Sequence, residues 1–434
     1  MICAFEALVT GEDFARRAGD DFVQLGATRD GLDPYVDRAR DRGMRAVLVE
    51  TPAYLRWRRM LGRRAFDLEV PVERPQEEAA VTAALAAAGV APRLVLTGFE
   101  RYVYAGFAVA RAVGAAPWPA AGEAFRPPDK REQREALRRA GAVVAQPRFA
   151  VLTPDGPPDD LGYPQVVKPS DGGGGLGVVL VDDPAQRAYA ADLIRGMRNY
   201  GGGEFGSVLA EEFVKGPELS VQGVAHDGRP HLLSVCEKLT TLEEVPDAPG
   251  LSGFREVGHL ARHGDTADEG LRELTARCLD AVGYREGPFH VDVIQGEAGP
   301  VFVEMGFRLS GGSLVALVER ATGDSWAEAV FAVHLDGRPP ALSPVRERAV
   351  GQIAAVSRQE LDAGSELAAA GHDVEVLRAA PLPDTGALSA ADREVLASDL
   401  ARHTGSVGRV VVAGDNCAQV QSLLRPIVSP RLRG

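Results

Sequence analysis

At 434 residues and 45% hydrophobic, the chain can bury more than one core, because single cores stop growing at roughly 250–300 residues. Its 48 basic and 61 acidic residues give a net charge of −13, which argues against binding to nucleic acid or to a membrane surface, since both are polyanionic. The four cysteines (Cys3, Cys236, Cys278 and Cys417) are far apart and lack zinc spacing, so we interpret them as free thiols. No basic and apolar leader and no apolar run of ~20 residues is visible, and we expect a cytoplasmic protein.

The first 115 residues alternate short apolar runs with helical patterns. Residues 45–50 (RAVLVE) and 93–97 (RLVLT) are predicted to be buried strands, and residues 77–89 a helix that ends at Gly89. This alternation is typical of a parallel α/β domain, which we expect to span residues 1–125. The proline-rich stretch 115–130 marks its end.

The middle of the chain combines one helix with several strands. Residues 129–141 are predicted to be helical, with Asp129 and Gly141 as caps. Strands are expected at 165–168, 177–181, 207–213, 219–224, 349–357 and 408–414, with a flexible connector at 197–206 and a linker at 338–344. We expect a lid region at 126–210, a catalytic region at 211–340 and a small α/β subdomain at 341–434.

A glycine-rich loop follows the predicted strand that carries Lys168. Gly172 to Gly175 and Gly177 allow backbone amides to approach an anion closely, and Lys168 adds a positive charge. The loop is not a Walker A motif, because no Gly-Lys-Ser/Thr closes it, and a strand rather than a helix follows it. The alternative is a hairpin tip without a ligand.

A second segment, residues 209–223, joins two predicted strands through a short turn. Glu218, at the start of the second strand, is placed to accept hydrogen bonds from ribose hydroxyls. Main-chain groups from Glu211 through Phe213 to Val214 are suited to an adenine edge. An ordinary exposed hairpin is the alternative.

The third segment, residues 289–313, places two acids face to face. In a hairpin centred on Ala298, Asp292 and Glu304 lie opposite each other and share one face of the sheet. Facing carboxylates repel, and a divalent cation such as Mg²⁺ removes that penalty. Arg308 follows, and then Gly311 and Gly312 lead into a predicted helix whose first amides suit an anion.

With these three segments in this order, the chain resembles the ATP-grasp superfamily, and within it the L-amino-acid ligases that make dipeptides. The resemblance implies an ATP-grasp fold with an amino-terminal Rossmann-like domain, a small lid and a carboxy-terminal mixed-sheet domain. It implies ATP binding by Lys130, Lys168, Ser170, Gly173, Gly174, Gly175, Glu211, Phe213, Val214 and Glu218. It also implies metal binding by Asp292 and Glu304, substrate contacts from Arg308, Gly311 and Gly312, and catalytic roles for Arg308 and for His259 near the acceptor.

Two departures from the family pattern concern the metal. Many relatives carry an asparagine two residues after the second acid, where this chain has Gly306, and the first acid is aspartate where glutamate is common. The metal would then depend on Asp292 and Glu304 alone.

The reaction that the resemblance implies joins a carboxylate, activated as an acyl phosphate, to an amine, with ATP and Mg²⁺ (or Mn²⁺) as cofactors. The expected partners are amino acids or other small acids and an amine acceptor, without nucleic acid or membrane; a homodimer is compatible. The alternatives are purine-type ligation, biotin-dependent carboxylation and a non-catalytic ATP-binding regulator. A long loop, predicted at residues 240–259, favours the amino-acid ligase branch.

Overall fold

The amino-terminal domain is a parallel four-stranded sheet between helices. The computed structural model describes residues 20–117, 125–141, 144–153, 160–198, 204–246, 248–345, 347–397, 399–400 and 405–428. The first elements are β1 (Asp21–Leu25), α1 (Tyr35–Asp41), β2 (Arg45–Glu50), α2 (Pro52–Met60), β3 (Leu68–Pro71), α3 (Glu78–Ala87), β4 (Pro92–Thr97) and α4 (Val103–Val113). The strand order β3-β2-β1-β4 confirms the predicted parallel α/β domain.

A small antiparallel lid follows. It contains α5 (Lys130–Arg139), β5 (Phe149–Leu152), β6 (Gln165–Pro169), β7 (Val179–Val181), α6 (Pro184–Gly196) and β8 (Val208–Glu212). Helix α5 begins at a complete capping box, in which Asp129 accepts from the Glu132 amide and the Glu132 side chain accepts from the Asp129 amide. This cap fixes the first turn of α5, where Lys130 lies.

The central region and the tail complete the chain. They comprise β9 (Glu218–His226), β10 (Arg229–Glu244), β11 (Ser252–His263), α7 (Glu269–Ala281), β12 (Gly287–Gly296), β13 (Gly299–Gly306), α8 (Leu314–Thr322), α9 (Trp326–Asp336), β14 (Ala349–Ala355), α10 (Arg358–Ala369), β15 (Asp373–Arg378), α11 (Ala390–Val395), β16 (Gly408–Gly414) and α12 (Cys417–Val428). One antiparallel sheet in the order β13-β12-β9-β10-β11-β7-β6-β8-β5 joins this region to the lid, and β14 pairs with β11. The tail therefore extends the central sheet.

The two faces of the central sheet differ, and the difference positions the site. On one face, Val221 and Val291 pack against Leu271 and Leu274 of α7. On the other face, α8 and α9 pack against one end of the strands, for example around Trp326. Toward the opposite end of the strands on this second face, polar side chains replace the apolar ones.

Residues 240–259 correct an expectation from sequence. We expected a long loop, but most of this segment forms the ends of β10 and β11, with Thr241 opposite Arg255 and Leu242 opposite Phe254. Between the two strands, the described residues 245–246 and 248–251 form the connection. The alternating pattern is hidden by charged residues, because one side of this arm faces polar groups. Cys3 and the middle of the predicted connector at 197–206 lie outside the described residues. Within the described part of the chain, no helix is long and apolar enough to cross a membrane.

Candidate active site

Asp292 and Glu304 face each other across the β12–β13 hairpin, as the spacing predicts. The turn is centred between Glu297 and Ala298 rather than on Ala298, and a register shift after Asp292 restores the pairing. The shift leaves Val303 as the extra residue of a bulge. Asp292 is buried and accepts a hydrogen bond of 2.5 Å from the Ser220 hydroxyl.

Two lysines hold these acids. The Lys130 ammonium lies 3.0 Å from the Glu304 carboxylate and also donates to the Gly172 carbonyl. On β10, the Lys238 ammonium lies 2.5 Å from Asp292 and 2.7 Å from Glu218. Burial alone would lower the pKa of Lys238, but Asp292 and Glu218 hold it well above its usual value, so this lysine stays charged.

Lys168 lies in a closed cluster under the lid, near enough to Glu304 to help lower the pKa of that carboxyl. Its ammonium is 2.8 Å from Glu211, which also accepts two hydrogen bonds from Arg134, at 3.0 and 2.9 Å. Burial would raise the pKa of Glu211, but Arg134 and Lys168 lower it to about 2. The Glu211 side chain thus anchors the base of the lid, and only its main chain belongs to the predicted adenine-binding segment.

The glycine loop joins β6 to β7 and is held at its base. Ser170 is buried, its carbonyl accepts from the Lys130 amide, and its hydroxyl accepts from the Ser207 amide at 3.3 Å. Gly174 and Gly175 have φ values of +61° and +75°, which side-chain-bearing residues rarely adopt. A Cβ atom on Gly173 would lie 3.7 Å from Glu100, so the loop reaches the amino-terminal domain.

The turn between β8 and β9 contains the predicted adenine and ribose groups. The Phe213 amide donates to the Pro164 carbonyl at 3.2 Å, whereas no described residue accepts from the Val214 amide. Glu218 begins β9, and burial raises the pKa of its carboxyl even though Lys238 opposes this. Of the residues of this segment that the sequence predicts to bind the nucleotide, the Val214 amide and the Glu218 carboxylate are therefore the better placed.

Arg308 follows β13 and meets the amino-terminal domain. Its Nε lies 2.5 Å from the Glu100 carboxylate. Glu100 follows β4 at the carboxyl edge of the parallel sheet, between β4 and α4, which is where ligands bind in sheets of this kind. The sequence analysis did not identify Glu100.

Gly306 is the position at which many relatives carry asparagine. A Cβ atom here would lie 2.3 Å from Cε1 of His290 on β12. Any side chain at this position therefore requires the imidazole to move. We therefore still expect Asp292 and Glu304 to bind the metal, without a ligand from position 306.

The Ser310–Ser313 loop lies between Arg308 and α8. Ser313 has a φ of +65°, a strained conformation for a residue with a side chain, and its amide donates to Asp30 at 2.9 Å. The Gly312 carbonyl accepts from Gln352 at 2.7 Å and from Arg409 at 3.1 Å. The amino-terminal domain and the tail together hold this loop in place.

His259 and Glu256 on β11 lie beside this loop. His259 Nε2 is 3.0 Å from the Glu256 carboxylate, and a Cβ atom on Gly312 would be 3.8 Å from His259 and 4.0 Å from Glu256. Burial would raise the pKa of Glu256, but His259 and Lys238 lower it to about 2. His259 was identified from sequence, and Glu256 was not.

Lys238 is the most important residue that sequence reasoning missed. It lies directly opposite His259 and has the same two-residue phase as the buried Ser234 and Cys236. A lysine in the inward phase of a strand is a usable signal, because lysine is rarely buried without a partner.

The acids suit a hard divalent cation. The carboxylates of Asp292 and Glu304 provide the oxygen ligands that Mg²⁺ prefers. In this structure Lys238 neutralises the first and Lys130 the second. No three metal-binding side chains converge anywhere in the described ranges, so the remaining ligands would be nucleotide oxygens or water.

Comparisons with known proteins show that the segment bearing these residues is similar to a known domain family. A family model for the ATP-grasp domain matches residues 128–312. Dapdiamide A synthase from Enterobacter agglomerans is 28% identical over 38% of this chain and 37% of its own length. D-alanine–D-alanine ligase from Cupriavidus pinatubonensis is 27% identical over 44% of this chain and 58% of its own length. The match to these curated relatives thus spans well under two thirds of their length.

The solved structure of L-amino acid ligase from Bacillus licheniformis shares the fold over most of the chain. The two superpose with a TM-score of 0.66 and 17% identity, over 95% of this chain and 98% of the other. The likeness therefore covers the amino-terminal domain and the tail as well as residues 128–312.

Proposed function

We propose that this chain, whose residues 128–312 match the ATP-grasp domain, is an ATP-dependent ligase that joins a carboxylate to an amine through an acyl phosphate, releasing ADP and phosphate. The donor is an amino acid or another small acid, and the acceptor is an α-amino acid. Dapdiamide A synthase and L-amino acid ligase, to which the chain is similar, support this choice by their names.

The observation that carries the proposal is the pairing of two lysines with the two facing acids, Lys130 with Glu304 at 3.0 Å and Lys238 with Asp292 at 2.5 Å. Burial would raise the pKa of Glu304, but Lys130, Lys168 and Lys238 together hold it far below its usual range. Phosphoryl transfer depends on positioning and charge stabilisation more than on covalent help. Three cations beside a pair of acids and a glycine loop form the set needed to activate a terminal phosphate.

The nucleotide contacts follow from this arrangement. Lys130 and Lys168 would neutralise phosphate oxygens, with Ser170 and the amides of Gly173, Gly174 and Gly175 closing over them. Lys238 would move from the acids to the phosphates. Asp292 and Glu304 would hold Mg²⁺, which supplies further charge neutralisation at the phosphates when bound.

The donor carboxylate would attack the terminal phosphate beside Arg308. Two parallel hydrogen bonds from a guanidinium suit both the donor carboxylate and the acyl phosphate. Glu100 now pairs with Arg308 and would be released to hold the ammonium group of an amino-acid donor. The glycine loop would keep water away from the acyl phosphate, which water would otherwise hydrolyse.

The acceptor amine would approach from the side of β11. Glu256, ionised at neutral pH, would attract its ammonium form, and His259, 3.0 Å away, would take the proton that the amine must lose before attack. Gly311 and Gly312 would line this side of the pocket. The free amine would then displace phosphate and form the amide.

Hydroxylamine trapping tests the proposal. The protein is incubated with ATP, Mg²⁺ and hydroxylamine against a panel of the twenty amino acids, other small acids and bicarbonate, and hydroxamate and ADP are measured. Hydroxamate with ADP and no AMP is the expected result. AMP with pyrophosphate would overturn the mechanism, turnover with bicarbonate alone would overturn the donor class, and no turnover with any acid would overturn the proposal.

A further inference from the structure

Arg409, on strand β16 of the tail, contacts the Ser310–Ser313 loop of the candidate active site. One of its terminal nitrogens donates to the Gly312 carbonyl at 3.1 Å. Among the described residues, no carboxylate lies within ion-pairing distance of its guanidinium, which is partly buried. Two other arginines of this region differ, since Arg320 of α8 pairs with Glu375 and Arg378 of β15 pairs with Asp362, both at the surface.

The surroundings of Arg409 favour an anion. Burial lowers the pKa of Arg409, and the attraction of Asp30 and Glu256 does not make up the difference. A cation removed from water is costly unless it is paired. The remaining donors of the guanidinium are therefore suited to a ligand carboxylate, which can accept two parallel hydrogen bonds.

Gly312 connects Arg409 to the acceptor side of the site. Its carbonyl meets Arg409, and a Cβ atom on the same residue would lie 4.0 Å from Glu256 and 3.8 Å from His259. The positive charge of Arg409 and the negative charge of Glu256 thus lie on either side of Gly312. An α-amino acid has the matching pair, an ammonium and a carboxylate separated by one carbon.

We infer that Arg409 binds the α-carboxylate of the acceptor while Glu256 and His259 receive its amino group. The inference rests on the proposed ligase function and deepens it, because it assigns the residue that recognises the free α-carboxylate of the acceptor. Gln352 keeps its own hydrogen bond of 2.7 Å to the Gly312 carbonyl, so the loop stays held when Arg409 turns toward a ligand.

The test compares Arg409→Met, Arg409→Lys and the matched control Arg378→Met. Arg378 lies on β15, with its neighbour Leu377 opposite Arg409, and has no contact with the site. Each protein is assayed for amide formation with the twenty amino acids and their α-amides as acceptors, and for hydroxamate formation, in which hydroxylamine replaces the amino-acid acceptor.

The wild type should prefer free amino acids to their α-amides. Arg409→Met should raise the acceptor KM at least ~10-fold and abolish that preference, since a charged hydrogen-bond pair is lost. Hydroxamate formation should fall far less, Arg409→Lys should restore part of the preference, and Arg378→Met should match the wild type.

Three outcomes would overturn the inference. They are an unchanged acceptor KM in Arg409→Met, equal losses of amide and hydroxamate, and a wild type that accepts α-amides as well as free acids. A wild type that forms no hydroxamate with any acid contradicts the ligase proposal itself, and the inference falls with it.

Discussion

Two acid–base clusters lie close together in this molecule and are built in opposite ways. In the closed cluster, Glu211 receives both Arg134 and Lys168, and all three side chains are at most 5% exposed. In the open cluster, Lys130 and Lys238 are the lysines that lie within ion-pairing distance of the four acids Glu218, Glu256, Asp292 and Glu304 among the described residues, and His259 also pairs with Glu256. In the closed cluster each charged group has a partner, with two cations sharing one carboxylate, whereas the open cluster has an excess of negative charge.

The difference separates fold from function. A closed, fully paired cluster can stabilise one arrangement of the lid base, because each buried charge has its partner. The open cluster is partly exposed, and its lysines each serve more than one acid. Such a cluster can exchange partners when a cation and an anionic nucleotide arrive, and this exchange is what the proposed reaction needs.

Loss of one acid of the open cluster should have the largest effect. Glu304→Gln should lower turnover by about 10³-fold or more, because phosphate alignment and metal binding both depend on it. The melting temperature should stay close to that of the wild type. Glu297→Gln, in the exposed turn of the same hairpin, is the control and should keep full activity. A well-folded Glu304→Gln enzyme with normal turnover would contradict the metal assignment.

In the closed cluster, the effect should fall on stability instead. Glu211→Gln should lower the free energy of unfolding by about 3 kcal/mol at neutral pH, the cost of breaking a buried ion pair. The exposed neighbour Glu212 makes only a surface pair with Arg148, so Glu212→Gln should cost less than about 1 kcal/mol. Urea denaturation measures both.

The same variant gives a pH signature. The folded pKa of Glu211 is about 2, below its ordinary 4.5, so its contribution is present above pH 4.5 and is lost as the pH falls toward 2. The gap between wild type and Glu211→Gln should narrow over that window. A gap that stays constant would show that the loss comes from packing and not from charge.

Lys168 connects the two clusters and should show a smaller, mixed effect. Lys168→Ala should raise the KM for ATP and lower turnover by about 10- to 100-fold, because one phosphate cation is lost. Lys215, exposed in the turn before β9, is the control, and Lys215→Ala should change either constant by less than about twofold. Equal effects on the KM for ATP would show that Lys168 does not contact the nucleotide.

The smallest expected effect concerns the cover of the site. Without nucleotide, the glycines of residues 170–177 have no side chains to hold the loop in place, whereas bound ATP and Mg²⁺ would order it. The amide hydrogens of these residues should therefore exchange about tenfold more slowly with ATP and Mg²⁺ than without. Hydrogen exchange followed by mass spectrometry measures this, with the hairpin turn at residues 296–299 as an internal reference. Equal protection in both conditions would argue against a covering role.

Short-range patterns predicted much of this molecule. The pairing of Asp292 with Glu304, the capped helix that carries Lys130 and the glycine loop after Lys168 follow from spacing within one hairpin, one helix or one turn. Lys238 is different, since it meets Asp292 from 54 positions away along the chain. Its place opposite Asp292 depends on the pairing of β9 with β12, which are far apart in the sequence, as well as on the local β9–β10 hairpin.

The same limit explains the other residues that sequence reasoning missed. Glu100 reaches Arg308 from another domain, and Arg134 reaches Glu211 across 77 positions. The arm formed by residues 240–259 was mistaken for a loop, because its polar side faces site residues and lacks the apolar alternation of a half-buried strand.

Strand β11 has a consequence for recombining this protein with its relatives. Its first residues pair with the lid at Val179 and Leu180, its middle carries Glu256 and His259, and residues 258–262 pair with β14 of the tail. A chimera that exchanges the lid alone would cut through this continuous strand pairing. The transferable unit is the lid together with the β10–β11 arm and the tail strand, and the Lys215–Pro217 turn is a poor crossover point because it separates the lid from that arm.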